Sequence, residues 1–112
     1  MSQLLAPALR FATVCELDEL RVGLGRAFRI GGQSVAVFRT RTGKVFALAN
    51  SCPHRGGPLA DGMLAGDQVV CPLHAFRFAP ESGACDQANV CPVATFPVKV
   101  VEGLVRVGVT IA

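Results

Sequence analysis

Four residues of this chain have side chains that could share a metal centre: Cys52 and His54 in a Cys-Pro-His motif, and Cys71 and His74 in a Cys-Pro-Leu-His motif. They read as Cys-x-His, sixteen intervening residues, then Cys-x-x-His. Thiolate is a soft, charge-donating ligand and imidazole a neutral borderline one, so two of each suit a soft or borderline metal. Each motif supplies one Cys and one His, so two loops must come together at a single inorganic centre. A Cys2His2 zinc finger usually places its Cys pair in one motif and its His pair in the other. The pairs are mixed here, and a structural zinc site stands as the plainer alternative to redox chemistry.

The residues around these ligands read CPHRGGPLADG (52–62) and CPLHAFRF (71–78), followed by a turn, PESG (80–83). Both segments resemble the cluster-binding loops of the Rieske [2Fe-2S] family, and the resemblance extends over most of residues 10–108. It implies an all-β fold: a Rieske-type antiparallel β-sandwich with a small two-loop cluster-binding subdomain. It further implies one [2Fe-2S] cluster per chain, with two Cys on one iron and two His on the other. Carried over residue by residue, Cys52 and Cys71 would ligate the buried iron, and His54 and His74 the outer one. Gly56, Gly57 and Pro58 follow the first pair. Glycine lets backbone N–H groups approach sulfur closely, and proline stiffens the loop.

Departures from the family's high-potential members bear on the redox range. Those members carry an extra Cys in each loop, joined as a disulfide; Gly57 and Leu73 stand at the matching positions. They also place a Ser and a Tyr after the second His, where hydroxyls donate to sulfur; Phe76 and Phe78 stand there instead. Rieske potentials span roughly −150 to +300 mV, and the loss of two donors points to the low end.

Apart from the four ligands, the chain offers no nucleophile–base pair and no phosphate-cradling loop; GLGRAF (23–28) holds only part of a dinucleotide fingerprint. The expected activity is therefore that of a one-electron carrier acting as a subunit. Residues 25–62 look most like the small subunit of NAD(P)H-dependent assimilatory nitrite reductase. The closing segment PVATFPVKVVEGLVRV (92–107) is shared with ferredoxins of aromatic-ring dioxygenases, which remain the alternative. The implied partner is a redox protein: a large reductase subunit in the first case, a ferredoxin reductase and terminal oxygenase in the second.

Length and composition fit a small carrier. At 112 residues, the chain is expected to form one domain over 1–112, with a modest core that a metal cross-link would reinforce. It is 51% hydrophobic, yet no apolar run approaches the length of a membrane span. The start, MSQLLAPALRF, lacks a basic region and a long apolar core, so a cytoplasmic protein with no membrane partner is expected. The net charge of +3 comes from scattered basic residues, and there is no Trp or Tyr, which argues against nucleic acid. Arg55 and Arg77 flank the ligand motifs and suit an acidic docking surface. Pro53, Leu59, Pro72 and Leu73 are expected to form an apolar rim there. Cys15, Cys85 and Cys91 are read as reduced thiols, with Cys15 a small buried hydrophobe.

These motifs need rigid strands behind them. Strands are expected at 10–14, 27–30, 34–40, 45–49, 68–71, 76–78, 96–101 and 104–109, with one helical turn at 16–20. Gly31-Gly32 and Glu102-Gly103 suit tight hairpin turns. Val35 and Val37 alternate with Ala36 and Phe38, which predicts a strand covered on both faces. The first nine residues are expected to be loosely ordered.

Overall fold

The structure, a computed structural model, describes residues 8–51, 57–72, 76–86 and 92–111. Its strands in chain order are β1 (Ala8–Glu16), β2 (Gly25–Ile30), β3 (Gln33–Arg39), β4 (Val45–Ala49), β5 (Met63–Ala65), β6 (Gln68–Val70), β7 (Arg77–Phe78), β8 (Thr95–Phe96), β9 (Val98–Val101) and β10 (Leu104–Ile111). Two 3-10 turns, Leu17–Glu19 and Leu59–Asp61, are the helical elements among the described residues. The expected all-β fold is what the chain adopts, and every strand pair within its three sheets is antiparallel.

The sheets run β1-β10-β9, β2-β3-β4-β8 and β5-β6-β7. The middle one explains the alternation in β3. Val35 and Val37 pack with Cys15, Ile30, Ala47, Val105, Val107 and Val109, toward the β1-β10-β9 sheet. Ala36 and Phe38 point the other way, into a cluster with Leu48 of the neighbouring β4 and with Val69 and Phe78 of the β5-β6-β7 sheet. All four residues are fully buried. One sheet thus serves two cores: the first makes the sandwich, and the second carries the loop-bearing sheet. The expected strand at Val45–Ala49 matches β4, and both predicted turns have positive φ: Gly31 and Gly32 at 56° and 81°, Glu102 and Gly103 at 51° and 77°. Those values fit the primed turns that favour hairpins.

Four expectations need correction. The strand placed at 96–101 is two strands in different sheets: β8 pairs with β4 and β9 with β10, and Pro97 stands between them. Proline cannot donate to a ladder, and here its carbonyl oxygen accepts from the Gly108 N–H instead. β5 lies where no strand was expected. β1 includes Ala8 and Leu9, the last two residues of the segment expected to be loose; the rest of that segment lies outside the described residues. Leu59, placed on an exposed rim, is fully buried in the core beside Phe38 and Phe78.

Candidate metal centre

Of the four candidate ligands, Cys71 is described; Cys52, His54 and His74 lie outside the described residues, as do Arg55, Pro53, Leu73 and Cys91. Cys71 follows β6 directly. Its side chain is 1% exposed and packs in the same cluster as Leu59, Val69 and Phe78. Its backbone N–H donates to the Phe76 carbonyl oxygen at 2.8 Å, one step beyond the Val70–Arg77 pairing of β6 with β7. The β6–β7 hairpin is therefore closed by backbone at Cys71, where the second ligand motif starts. Among the described residues Cys71 forms no disulfide.

The first motif lies between β4 and the 3-10 turn at Leu59–Asp61. Its exit is tightly fixed. Asp61 N–H donates to the Pro58 carbonyl at 3.1 Å, and Gly62 N–H to the Leu59 carbonyl at 2.9 Å. Gly62 then passes against β6 so closely that a Cβ there would run into the Val70 carbonyl oxygen. Leu59 and Ala60 are buried in the cluster that holds Cys71. The exit of the first motif and the start of the second thus rest on one apolar floor, as a centre shared between two loops requires.

A third segment supports this arrangement, although its residue types do not announce the role. Asp86 pairs with Arg77: its carboxylate accepts the Arg77 backbone N–H at 3.1 Å, and its own N–H donates to the Arg77 carbonyl at 2.9 Å. Cys85, half-buried, directs its thiol toward the same carboxylate at 3.8 Å. Val93 N–H donates to the Gly83 carbonyl at 2.9 Å, and φ at Gly83 is +72°. The stretch from 83 to 93 thereby starts and returns beside β7. Asp86 follows a Cys in a polar turn, and in the bare sequence it looks like any solvated turn residue.

The donor chemistry fits an iron–sulfur centre. Cys71 is a soft donor in an apolar pocket, held by its backbone. Phe76 and Phe78 flank it, the first partly and the second fully buried. Neither brings a hydroxyl. Elsewhere, Cys15 is buried as expected, and burial, followed by the charge of Glu19, pushes its thiol pKa up from 9.0. Arg77 is exposed beside the second loop, as is Pro72 at its start. No helix among the described residues is long and apolar enough to cross a membrane.

Comparison with known proteins agrees with this geometry. The Rieske [2Fe-2S] domain matches residues 10–97. The ferredoxin component of an alkene monooxygenase system from Xanthobacter autotrophicus is 33% identical over 102 residues, covering 89% of this chain and 82% of that protein. A structure described as the NADH-dependent nitrite reductase small subunit of Mycobacterium tuberculosis superposes with a TM-score of 0.87 at 27% identity, over 94% of this chain and 99% of the other. The ferredoxin of carbazole 1,9a-dioxygenase from Nocardioides aromaticivorans gives 0.79 at 32% identity, over 87% and 95%. Against two longer relatives the chain spans 12% and 28% of their length.

Proposed function

Because this chain belongs to the Rieske [2Fe-2S] domain family, and is an electron carrier built on that cluster, we propose that it is the Rieske subunit of an assimilatory NAD(P)H nitrite reductase. The observation that carries this reading is the near end-to-end likeness to the Mycobacterium tuberculosis small subunit, in which almost nothing of either chain is left over. When bound, the cluster takes up one electron and gives it back. The chain's own part is to hold and shield it: Cys52 and Cys71 on one iron, His54 and His74 on the other, with residues 1–112 acting as one domain. Cys71 is fixed by its amide and by the apolar floor beneath it. Pro58 and Pro72, both exposed, put uncharged surface beside the two loops. A small apolar tip suits brief electron-transfer contacts, which usually bury less than about 1,200 Å². Arg77 at its margin favours an acidic partner surface.

A second reading, a ferredoxin that feeds an oxygenase, draws on the higher sequence identity to the two oxygenase-system ferredoxins. Reconstitution separates the two. The purified protein is mixed either with the large subunit of an NAD(P)H nitrite reductase or with a ferredoxin reductase and oxygenase pair. NAD(P)H-dependent ammonium formation that requires this chain supports the first reading. Its absence, together with product formation by the oxygenase pair, overturns it in favour of the second.

A further inference from the structure

Asn50 is the residue after β4 and lies two positions before Cys52. Its backbone N–H donates to the Ser34 carbonyl at 3.0 Å, extending the β3–β4 ladder by one step beyond the Val35–Ala49 pair. Its side chain faces two ways. Nδ2 donates to Ser34 Oγ at 3.1 Å, and Oδ1 accepts the backbone N–H of Ala60 at 2.7 Å. Ala60 is the second residue of the 3-10 turn Leu59–Asp61.

The first N–H groups of any helical turn lack partners within the turn. A Ser, Thr, Asp or Asn at the N-cap usually supplies one. The N-cap here is Pro58, which makes no side-chain cap. Ala60 is 7% exposed, so water is largely shut out from it. Asn50 supplies the missing acceptor from ten positions upstream. In doing so it joins the two ends of the segment that contains Cys52 and His54, and ties both to β3. An amide suits this position because the carbonyl side accepts while the NH2 side donates to Ser34.

We propose that Asn50 is a positioning residue for the iron–sulfur cluster: its side chain clasps the first ligand segment shut by capping Ala60 across it. The inference rests on the proposed ligand roles of Cys52 and His54. Closing a segment of this length costs conformational entropy, and the Asn50–Ala60 bond holds that closure in place. Losing it leaves a buried N–H without an acceptor and lets the two ligands drift relative to Cys71.

The test compares iron transfer from the holoprotein to a chelator, followed by loss of visible absorbance, in Asn50→Ala, Asn50→Gln, Asn50→Asp, Ser34→Ala and Cys52→Ala. Far-UV dichroism is recorded alongside. Asn50→Ala and Asn50→Gln, which remove or misplace the acceptor, should release iron about tenfold faster with the far-UV spectrum kept, the fold-change of one buried hydrogen bond. Asn50→Asp keeps an acceptor toward Ala60, and Ser34→Ala leaves the clasp intact; both should stay within about twofold of the wild-type rate. Cys52→Ala should hold no cluster. The clasp is overturned if Asn50→Ala and Asn50→Gln release iron at the wild-type rate, or if Asn50→Asp is as fast as they are. If Asn50→Ala fails to fold, Asn50→Gln against Asn50→Asp decides. A Cys52→Ala protein that keeps its cluster instead overturns the ligand assignment, an outcome read independently of the Asn50 variants.

Discussion

The amide of Cys71 donates to the carbonyl oxygen of Phe76 across 2.8 Å, so the backbone itself closes the β6–β7 hairpin at the start of the second ligand motif. The thiol then points into a cluster that is already full of apolar side chains. Removing the sulfur should therefore abolish metal binding and leave the fold. Cys71→Ala deletes one buried heavy atom, a loss of about 1 kcal/mol of packing by analogy with a single buried methyl. Iron and acid-labile sulfide analysis should find neither in the purified variant, with a far-UV spectrum like that of the wild type. Full iron content in Cys71→Ala would remove this residue from the ligand set.

Gly62 shows how tightly the two loops are fitted. Its φ of −82° is open to any residue, so backbone conformation does not require glycine there. The requirement is steric, because a Cβ would meet the Val70 carbonyl, in the residue just before Cys71. Gly62→Ala must push the exit of the first loop away from β6. The expected loss is about 1–3 kcal/mol, typical of overpacking, together with faster cluster loss. Gly66→Ala is the contrasting variant, because no heavy atom would lie near its Cβ; there φ of +61° brings backbone strain alone. Denaturant melts with iron content as a second readout should rank Gly62→Ala as the worse holder of iron.

Much of this arrangement was legible because the signals were local. The run Val35–Phe38 declared a strand with two buried faces, and both faces are occupied as expected. The types and spacing of Cys52, His54, Cys71 and His74 pointed to a shared metal centre, and the cluster itself was implied by the resemblance of the loops around them. What escaped depended on partners distant in sequence. Leu59 looked like a loop residue bound for the surface, but the turn it opens folds inward onto Phe38 and Phe78. Pro97 is a readable signal in its own right: a proline inside an apolar run marks the end of a strand, and here the chain changes sheets at that residue. Asn50 and Asp86 are ordinary turn residues by type. Their roles appear once Ala60 and Arg77 are seen beside them.

Cys15 gives a prediction in pH. Its thiol is buried opposite Val105, and burial raises its pKa above 9.0. The folded state therefore holds on to this proton more strongly than the unfolded chain does. The stability linked to it is complete below about pH 9, and it declines as pH climbs from there through the higher folded value. Cys15→Ala lacks the titrating group but leaves a small cavity. The wild type should be the more stable protein at pH 7, and its advantage should shrink above about pH 9. Thermal melts of both proteins across that range provide the check; a constant gap would mean that the thiol does not titrate on unfolding.

Phe78 offers the most direct control over the potential. It is fully buried, pairs with Val69 across the β6–β7 hairpin, and shares its cluster with Cys71. High-potential relatives carry a Tyr at the matching position, and its hydroxyl donates to a sulfur ligand. Phe78→Tyr nearly conserves volume, so the ring should stay where it is and place a hydroxyl at its far end. A donor aimed at sulfur favours the form of the centre with the extra electron, so the midpoint potential should rise. One neutral hydrogen bond of about 1 kcal/mol corresponds to roughly 40 mV for a one-electron couple. A hydroxyl that finds no acceptor in this apolar cluster would instead cost about 1–3 kcal/mol of stability and leave the potential unmoved. Redox titration and a denaturant melt on the same variant distinguish the two results. A raised potential with stability retained supports the missing donor as a cause of a low potential. An unchanged potential with lost stability shows that the Phe78 ring does not point at a cluster sulfur.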